Sequence, residues 1–375
     1  MNVLQCDFAV IGAGIAGASV AAELAGAARV VLLERESRPG YHTTGRSAAL
    51  YTCTYGPPNV RALSRASGTV FHDGTGPNGA PLIRPRGVLF LARPDQEAAL
   101  AALETEMAGA LSPLSARAAR ERLPLLREGY LGAVLFDPAA SDIDVDALHQ
   151  LYLRRFRAEG GTLLTESDVS AMSRSGDAWE IETRQGRIRS AHVVNAAGAW
   201  ADEIARLAGV DPVGLVPKRR TAALIDAPEG LSTDDWPMAV DCEETFYLKP
   251  DAGKLLISPA DATPSPPCDA QPEELDVAIA VDRIETAFDV SVRRIEHKWA
   301  GLRSFVADGE PVAGYAGDAP GFFWLAGQGG YGIQTAPALA RAAAALALGR
   351  ALPPDIAAEG VREDALAPTR PGLAA

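Results

Sequence analysis

Near the N-terminus two short apolar runs flank a segment with helical spacing. Residues 5–11 and 29–33 are mostly apolar, as buried parallel strands are. Between them, residues 15–27 carry Ala, Val and Leu at helical spacing. A strand, a helix and a strand within about thirty residues predict a βαβ unit. The chain therefore begins like an α/β protein.

The rest of the chain mixes helical patterns with short strands. Strands are predicted at 87–92 and 322–326 and within 162–195 and 218–258, where turn residues divide the sequence. Helices are predicted at 59–71, 95–110, 144–159, 272–287 and from the glycine-rich segment 327–332 to about 348. The tail beyond 353 is weakly patterned. We predict a mixed α/β fold.

Composition places the chain among globular proteins. It has 375 residues, 47% of them hydrophobic and 22% charged, which excludes a disordered or fibrous chain. A formal net charge of −13 makes nucleic acid and anionic membranes unfavourable partners. The four cysteines have no zinc-like spacing, and Asp142, Asp144 and Asp146 lack the glycine of a calcium loop. We therefore expect free thiols and no metal site.

No segment has the pattern of a membrane span or a targeting signal. The apolar stretch 8–33 contains Glu23 and Arg29, and the stretch 336–348 contains Arg341. We expect a cytoplasmic protein without a membrane span.

A glycine motif stands between the first predicted strand and helix. Gly12, Gly14 and Gly17 form G-x-G-x-x-G, and Glu34 follows about 20 residues later at the end of the second strand. Such a turn brings backbone amides and a helix N-terminus to a pyrophosphate, and the acid accepts from ribose hydroxyls. The alternative is a turn with only a packing role. The complete fingerprint favours dinucleotide binding, and the acid disfavours NADP.

Two further segments favour FAD over NAD. Residues 40–49 form a polar, glycine-bounded loop that can offer amides and hydroxyls to a second phosphate and a ribityl chain. Residues 327–333 place a second glycine-rich turn before a helix, whose N-terminus would stabilise a reduced flavin anion. Each segment alone could be a solvated loop, but their presence in one chain predicts FAD.

Seven ordered segments, spread over nearly the whole chain, match one family pattern. They are 40–56 (GYHTTGRSAALYTCTYG), 141–150 (SDIDVDALHQ), 193–200 (VVNAAGAW), 217–220 (PKRR), 244–253 (ETFYLKPDAG), 299–316 (WAGLRSFVADGEPVAGYA) and 327–335 (GQGGYGIQT). Through them the chain resembles the D-amino acid oxidase superfamily of FAD enzymes. Within it, the similarity is greatest to the glycine oxidase and D-amino acid dehydrogenase branch, and above all to bacterial D-arginine dehydrogenases.

The resemblance implies a Rossmann-like FAD domain with an inserted mixed β-sheet substrate domain. The expected division is 1–84, 146–216 and 296–375 for FAD, and 85–145 and 217–295 for substrate. The implied reaction oxidises the Cα–N bond of a D-amino acid by hydride transfer from Cα to flavin N5. Water then hydrolyses the imino acid to a 2-oxo acid and ammonia.

The resemblance also implies roles for individual residues. Arg220 and Arg303 match arginines that bind the substrate carboxylate, a task for which the planar guanidinium is suited. Without the match, surface salt bridges would be the better interpretation of both. The remaining substrate-site matches are Tyr247 near the carboxylate, Tyr55 near the amine, the Gly330 carbonyl as acceptor for the amine, and Gln334 as a polar wall.

The expected cofactor residues follow from the same match. They are Gly12, Gly14, Ile15, Ala16, Gly17, Glu34, Arg35, Thr44, Gly45, Arg46, Ser47, Ala48, Val169, Ala197, Gly198, Trp200, Gly301, Arg303, Gly329, Gly330, Tyr331, Gly332, Ile333 and Gln334. His42 lies in the same loop and is a further candidate for cofactor contact. No cysteine or histidine stands where this superfamily sometimes tethers its flavin, so we expect non-covalent FAD.

Two departures from the D-arginine enzymes concern specificity. Those enzymes carry a carboxylate where this chain has Val88 or Gly87, and a histidine where it has Leu50. Apolar walls favour apolar side chains, so we expect uncharged D-amino acids to be better substrates than D-arginine. Glu243 or Glu244 could overturn this by bringing a carboxylate from elsewhere.

Other functions stay open at this point. They are a broad or D-arginine dehydrogenase, a glycine/sarcosine-type amine oxidase, a 2-hydroxy acid dehydrogenase and a non-enzymatic or RNA-modifying flavoprotein, the last disfavoured by charge. The electron acceptor, whether oxygen, a quinone or another protein, is not specified by the sequence.

Overall fold

The computed structural model describes residues 3–107 and 109–373, which form three sheets flanked by helices. The strands are β1 (Val3–Ile11), β2 (Val30–Leu33), β3 (Leu50–Tyr51), β4 (Ile83–Pro85), β5 (Val88–Ala92), β6 (Ser112–Pro113), β7 (Ala133–Asp137), β8 (Ser141–Ile143), β9 (Thr162–Leu164), β10 (Val169–Ser175), β11 (Ala178–Thr183), β12 (Gly186–Asn195), β13 (Val216–Asp226), β14 (Met238–Asp241), β15 (Tyr247–Asp251), β16 (Lys254–Ser258), β17 (Thr263–Pro264), β18 (Ile295–Phe305), β19 (Val312–Tyr315) and β20 (Phe322–Ala326).

The helices stand mostly where the spacing predicts them. They are α1 (Ile15–Ala25), α2 (Pro58–Ala66), α3 (Gly68–Asp73), α4 (Glu97–Glu106), α5 (Ala116–Arg122), α6 (Val145–Ala158), α7 (Ala201–Leu207), α8 (Glu274–Ala287), α9 (Gly332–Ala347), α10 (Pro354–Ala358) and α11 (Glu363–Leu366), with 3₁₀ turns at Thr43–Arg46, Pro94–Gln96 and Gly198–Trp200. In the part of the chain that the structure describes, no helix is long and apolar enough to cross a membrane. The expected cytoplasmic location stays a prediction.

The first sheet has eight strands and contains the predicted βαβ unit. Strands β9, β2, β1, β12 and β20 run parallel in that order, and the antiparallel β10–β11 hairpin and β19 complete the sheet. Helices α1, α6 and α9 cover one face, where a large apolar cluster includes Leu24, Phe156 and Phe323. This arrangement brings the C-terminal ends of β1, β2 and β12 together at one edge, as in other parallel sheets.

The second sheet has nine strands, and a third is small. The strand order of the nine-stranded sheet is β17-β13-β16-β15-β14-β5-β7-β6, and β18 also pairs with β13. Helix α8 packs against this sheet. The third sheet has three antiparallel strands in the order β3-β8-β4. The mixed α/β fold predicted from the sequence is confirmed.

The division into two domains stays a prediction, and one strand departs from it. The predicted division places β18 in the FAD part from residue 296 onward, but this strand pairs antiparallel with β13 from Val216↔Phe305 to Ile225↔Ile295. A division that follows the sheets would therefore place Ile295–Phe305 with the second sheet. The reason is that the long β13 and β18 ladder satisfies the backbone of both strands along most of their length.

Two local predictions need correction. The helix predicted at 59–71 is divided at Ser67, where Gly68 approaches the ring of Tyr51; a Cβ on Gly68 would lie 3.0 Å from the Tyr51 hydroxyl oxygen. The weakly patterned tail forms α10 and α11 and buries Ile356 and Leu366 in the large apolar cluster. Helices this short have too few turns for periodicity to reveal.

Candidate active site

A cavity of about 880 Å³ lies where the first two sheets meet. It extends from the C-terminal ends of β1 and β2 to residues on β5, β13, β14, β15 and β18. All eight residues predicted for the substrate site line it, as do all predicted cofactor residues except Gly17 and Gly45. The fold thus brings distant segments to one cavity, but the roles of these residues remain predictions.

The glycine turn has no room for side chains. Gly12 has φ +96°, and a Cβ there would lie 2.5 Å from the Ala196 carbonyl oxygen. Gly17 supports this turn from behind, because a Cβ at Gly17 would lie 1.8 Å from the Gly12 oxygen. Gly45 similarly packs against Gly40, to whose carbonyl its amide donates at 2.8 Å. The two glycines outside the cavity wall therefore allow close backbone packing.

The Glu34 carboxylate is buried beside this turn. It accepts hydrogen bonds from the amides of Ala13 and Glu36, both at 3.0 Å, and burial raises its pKa above the usual range. The Ala13 carbonyl in turn contacts Nε2 of His149 on α6 at 2.9 Å. Burial lowers the pKa of His149, so its neutral form, with Nε2 as donor, fits this contact.

The loop after β2 connects the glycine turn to the second sheet. The Thr44 hydroxyl accepts from the amide of Ile15 at 2.9 Å, at the N-terminus of α1. Arg46 donates to the carbonyls of Ala270 and Ala300, each at 3.0 Å, and pairs with Asp269. The Arg46 guanidinium is thus committed to protein partners and holds the loop in place.

The side chains near Glu34 form an aromatic and cationic wall. The Trp200 ring lies under the Arg35 guanidinium at 5.0 Å and beside the His42 ring at 4.7 Å. His42 Nε2 contacts Glu36 Oε1 at 2.9 Å, and its buried Nδ1 has no hydrogen-bond partner within the described residues. Val169, Ala197 and Gly198 complete this end.

These features fit FAD. In the turn, Gly12 and Gly14 present no side chain to the cavity, which leaves room for a pyrophosphate, and Glu34 lines the wall where a ribose would lie. The buried Nδ1 of His42, at the same wall, is a further polar atom for the cofactor. The N-cap residue of α1, Gly14, has no side chain to cap the helix, and although Thr44 takes the Ile15 amide, the positive end of the helix dipole favours phosphate oxygens there. Gly329 to Ile333 line the other end, where α9 begins.

Two arginines dominate the far end of the cavity. Arg220 on β13 and Arg303 on β18 are half-buried. Among the described residues, no carboxylate oxygen lies within 4.0 Å of a guanidinium nitrogen of either arginine. Arg220 Nε donates to the Asp261 carbonyl at 2.7 Å, and burial together with the charge of Arg303 lowers its pKa. Arg303 packs on the Gly330 backbone, where a Cβ would lie 2.5 Å from its Cζ. Two guanidiniums that no carboxylate contacts directly in the described part of the chain form a suitable site for a substrate carboxylate.

Tyrosines surround the two guanidiniums. The Tyr55 hydroxyl accepts from Arg303 Nη1 at 3.4 Å and donates to Glu244 Oε2 at 3.3 Å. The Tyr331 ring contacts that of Tyr55, with centroids 4.9 Å apart. Tyr247 is buried in the wall. The side-chain amide of Gln334, predicted as a polar wall residue, donates instead to Ser64 Oγ at 2.9 Å.

The side wall of this region is largely apolar. On the parallel pair β5 and β14, Val88 stands opposite Met238 and Phe90 opposite Val240, and all four line the cavity. Leu50 and Leu103 add to this wall.

A carboxylate, that of Glu244, also reaches the cavity. Glu244 lines the wall with a positive φ of 55°, a conformation that few non-glycine residues adopt. The Glu243 side chain instead accepts from Gln96 Nε2 at 2.8 Å.

Several wall residues were not among the predicted site residues. Thr52 and Thr54, in the polar segment before Tyr55, also line the cavity. The sequence does not indicate which way a hydroxyl side chain in such a loop points. The apolar residues of β14 could have been suggested by strand alternation, yet their parallel pairing with β5 is a long-range contact.

Comparisons with known proteins give a family model and several relatives. A family model described as FAD dependent oxidoreductase matches residues 7–346. L-2-hydroxyglutarate dehydrogenase of Salmonella houtenae is 31% identical over 216 residues, which are 55% of this chain and 50% of that enzyme. Glycine oxidase of Pseudomonas aeruginosa is 30% identical over 362 residues, 91% of this chain and 94% of that enzyme. The chain thus spans about half the length of the first relative and nearly all of the second.

The fold also matches solved structures. That of L-α-glycerophosphate oxidase from Mycoplasma pneumoniae, with FAD bound, has a TM-score of 0.82 at 16% identity, covering 94% of this chain and 97% of that one. At this level of identity the likeness concerns the fold.

Proposed function

The chain belongs to the FAD dependent oxidoreductase family, and we propose that it oxidises the Cα–N bond of D-amino acids with uncharged side chains. The products are a 2-oxo acid and ammonia, released by hydrolysis of an imino acid. The observation that carries this proposal is the pair of guanidiniums, Arg220 and Arg303, which share one cavity with the FAD-binding turn and have no carboxylate partner within 4.0 Å among the described residues.

The protein's own residues bind and orient the substrate. In our proposal Arg220 and Arg303 bind the α-carboxylate, with the Tyr247 hydroxyl as an additional donor. The carbonyl of Gly330, which packs against Arg303, accepts a hydrogen bond from the amine. The two positive charges also disfavour a protonated amine beside them, so the neutral amine binds better. FAD, when bound, supplies the acceptor for the hydride that leaves Cα.

The preference for uncharged side chains rests on the wall of β5 and β14. Val88 and Phe90 face the cavity together with Met238 and Val240, and an apolar side chain gains free energy by leaving water here. A guanidinium or ammonium placed against this wall loses its hydration without gaining a partner. Glu244 is the residue through which a cationic side chain could still be recognised.

A second candidate is a glycine- or sarcosine-type amine oxidase. The similarity to glycine oxidase over 91% of the chain favours it, since that enzyme is named for a substrate without a side chain. The large apolar wall supports a substrate with a side chain instead.

Anaerobic reduction of the bound flavin tests the proposal. The holoenzyme is mixed with D- and L-leucine, D- and L-methionine, D-arginine, glycine, sarcosine and L-2-hydroxyglutarate, and loss of oxidised-flavin absorbance is followed in each case. We expect D-leucine and D-methionine to bleach the flavin fastest. Fastest bleaching by sarcosine, by glycine or by the hydroxy acid would select the corresponding alternative, and an L-amino acid that exceeds its D-enantiomer would reject the proposal.

A further inference from the structure

Asp137, at the end of β7, is a buried carboxylate for which the reaction has no direct use. Its side chain is 2% exposed. Its Oδ2 accepts hydrogen bonds from the hydroxyls of Thr52 and Thr54, at 2.7 and 2.8 Å, and its Oδ1 accepts from the Ala139 amide at 3.0 Å. Among the described residues, no Lys, Arg or His nitrogen lies within 4.0 Å of it.

A buried carboxylate without a cation is costly unless donors surround it. Here both side-chain donors, the hydroxyls of Thr52 and Thr54, belong to one short loop segment that is distant in sequence from Asp137. The same segment has an internal hydrogen bond, from the Thr54 amide to Thr52 Oγ1 at 3.1 Å. Asp137 and the two threonines therefore hold residues 52–54 in one conformation.

The next residue along the chain is Tyr55. Gly56 follows with φ +94°, and its carbonyl accepts from Arg61 Nη1 at 2.8 Å. The short segment before Tyr55 is thus held by Asp137, and the segment after it by Arg61. Tyr55 lies between these two attachments, and its hydroxyl contacts Arg303 and Glu244.

We propose that Asp137 is a positioning residue that acts through Thr52 and Thr54 to hold the Tyr55 hydroxyl between Arg303 and Glu244, where it contacts the bound substrate. The inference rests on the proposed function, because it assigns Tyr55 a contact with substrate. Displacement of a binding group by about 1 Å is enough to lower a rate constant up to about 100-fold.

The first test is a double-mutant cycle with steady-state kinetics on the best D-amino acid. Asp137→Asn should lower kcat/KM between about 10-fold and 100-fold, with KM changing more than kcat. In a Tyr55→Phe background the same substitution should have little further effect, since both changes remove one function. Independent, multiplicative losses would overturn the inference.

Thr54→Val keeps the shape of the side chain and the Asp137 carboxylate while it removes one hydroxyl donor. It should reproduce the loss in kcat/KM, and Thr54→Ser should restore it. This pair keeps the test decisive if Asp137→Asn fails to fold. A Thr54→Val enzyme with wild-type KM would contradict the proposal.

A control and a second measurement separate positioning from general stability. Asp202 is likewise buried, and it accepts from the Val213 and Leu215 amides, at 3.3 and 2.8 Å. Asp202→Asn should lower Tm without the change in KM. Hydrogen exchange of the holoenzyme should show faster exchange at residues 52–56 in Asp137→Asn but not in Asp202→Asn.

The exchange measurement does not depend on turnover. Unchanged exchange at 52–56 in Asp137→Asn would overturn the positioning inference even if D-amino acids are oxidised. Conversely, a wild-type flavin that no D-amino acid reduces would reject the proposed function, while faster exchange would still support the structural link between Asp137 and the loop.

Discussion

The Tyr55 hydroxyl donates a hydrogen bond to the Glu244 carboxylate at 3.3 Å, which joins the loop after β3 to the turn between β14 and β15 of the second sheet. The same hydroxyl accepts from Arg303 at 3.4 Å. One tyrosine oxygen thus contacts both an acid and a guanidinium of the candidate substrate site. Removal of that oxygen is the most direct probe of the site.

Tyr55→Phe should lower kcat/KM about 10-fold or more, because a hydrogen bond to a charged group is worth about 1.5–3 kcal/mol. FAD content should stay unchanged, since the lost contacts are at the substrate end. Tyr315→Phe is the matched control: its hydroxyl contacts His192 and the Ala347 carbonyl, outside the cavity. Equal kinetic losses in the two variants would contradict a specific role for Tyr55.

Arg219 and Arg220 are neighbours in sequence with different partners. Arg219 pairs with Glu273 and Asp276, whereas Arg220 faces the cavity. Arg220→Lys should weaken binding of a carboxylate ligand such as benzoate at least about 10-fold, because lysine cannot offer a bidentate fork. Arg219→Lys should affect Tm more than ligand binding. The flavin absorbance change during benzoate titration measures binding in both variants. A larger loss of benzoate affinity in Arg219→Lys than in Arg220→Lys would oppose the assignment of Arg220 to the carboxylate site.

The apolar wall predicts a specificity change. Val88 is 2% exposed and faces the cavity. Val88→Glu should raise the kcat/KM ratio of D-arginine to D-leucine at least about 10-fold, because the new carboxylate compensates the buried cation. Val88→Gln, of similar shape but uncharged, is the control.

A wild-type enzyme that already prefers D-arginine would contradict the apolar preference. Loss of that preference in Glu244→Gln would then identify Glu244 as the carboxylate that recognises the cation. Retention of it would exclude Glu244.

His149 predicts a dependence of stability on pH. Burial lowers its folded-state pKa below the unfolded value of about 6.5, so the unfolded chain takes up the proton more readily. Stability should therefore be complete above about pH 6.5 and fall as the pH decreases towards the folded-state pKa. His149→Gln keeps a donor for the Ala13 carbonyl and should reduce the decrease in Tm between about pH 7.5 and pH 5.5.

The pH dependence of FAD binding distinguishes the role of His149 from that of His192. Burial also lowers the pKa of His192, which contacts Tyr315 away from the cavity. Of these two histidines, His149 is the one that contacts the glycine turn, so His149→Gln and not His192→Gln should change the pH dependence of the FAD dissociation constant. An identical change in His192→Gln would show that the effect is global.

Attachment of the cofactor is a separate prediction. We expect FAD to be released into the supernatant when the protein is precipitated with acid, as non-covalent binding requires. His42 is the histidine in the cavity wall with a buried, unpartnered Nδ1 among the described residues. Colour that stays in the pellet, and is lost in His42→Ala, would contradict non-covalent binding.

Local chemistry in the sequence was enough to predict the cofactor end of the site. The glycines of the first turn and Glu34 lie within one βαβ unit, and their spacing reflects contacts between neighbouring elements. Helical and strand periodicity likewise predicted α1, α6 and β20, because long buried elements leave a regular apolar pattern. The identity of the substrate-site arginines came from a family resemblance, since an isolated arginine carries no such signal.

The substrate end depends on contacts between residues that are far apart in sequence. Val88 meets Met238 through parallel strands, Tyr55 meets Glu244 through a loop, and Asp137 meets Thr52 and Thr54 through buried hydrogen bonds. None of these pairs has a periodicity or a spacing that could reveal it. Sequence alone determined the dinucleotide turn because its geometry is local, whereas only the tertiary structure decided which carboxylate reaches the cavity and what holds Tyr55, because those follow from packing of the two sheets.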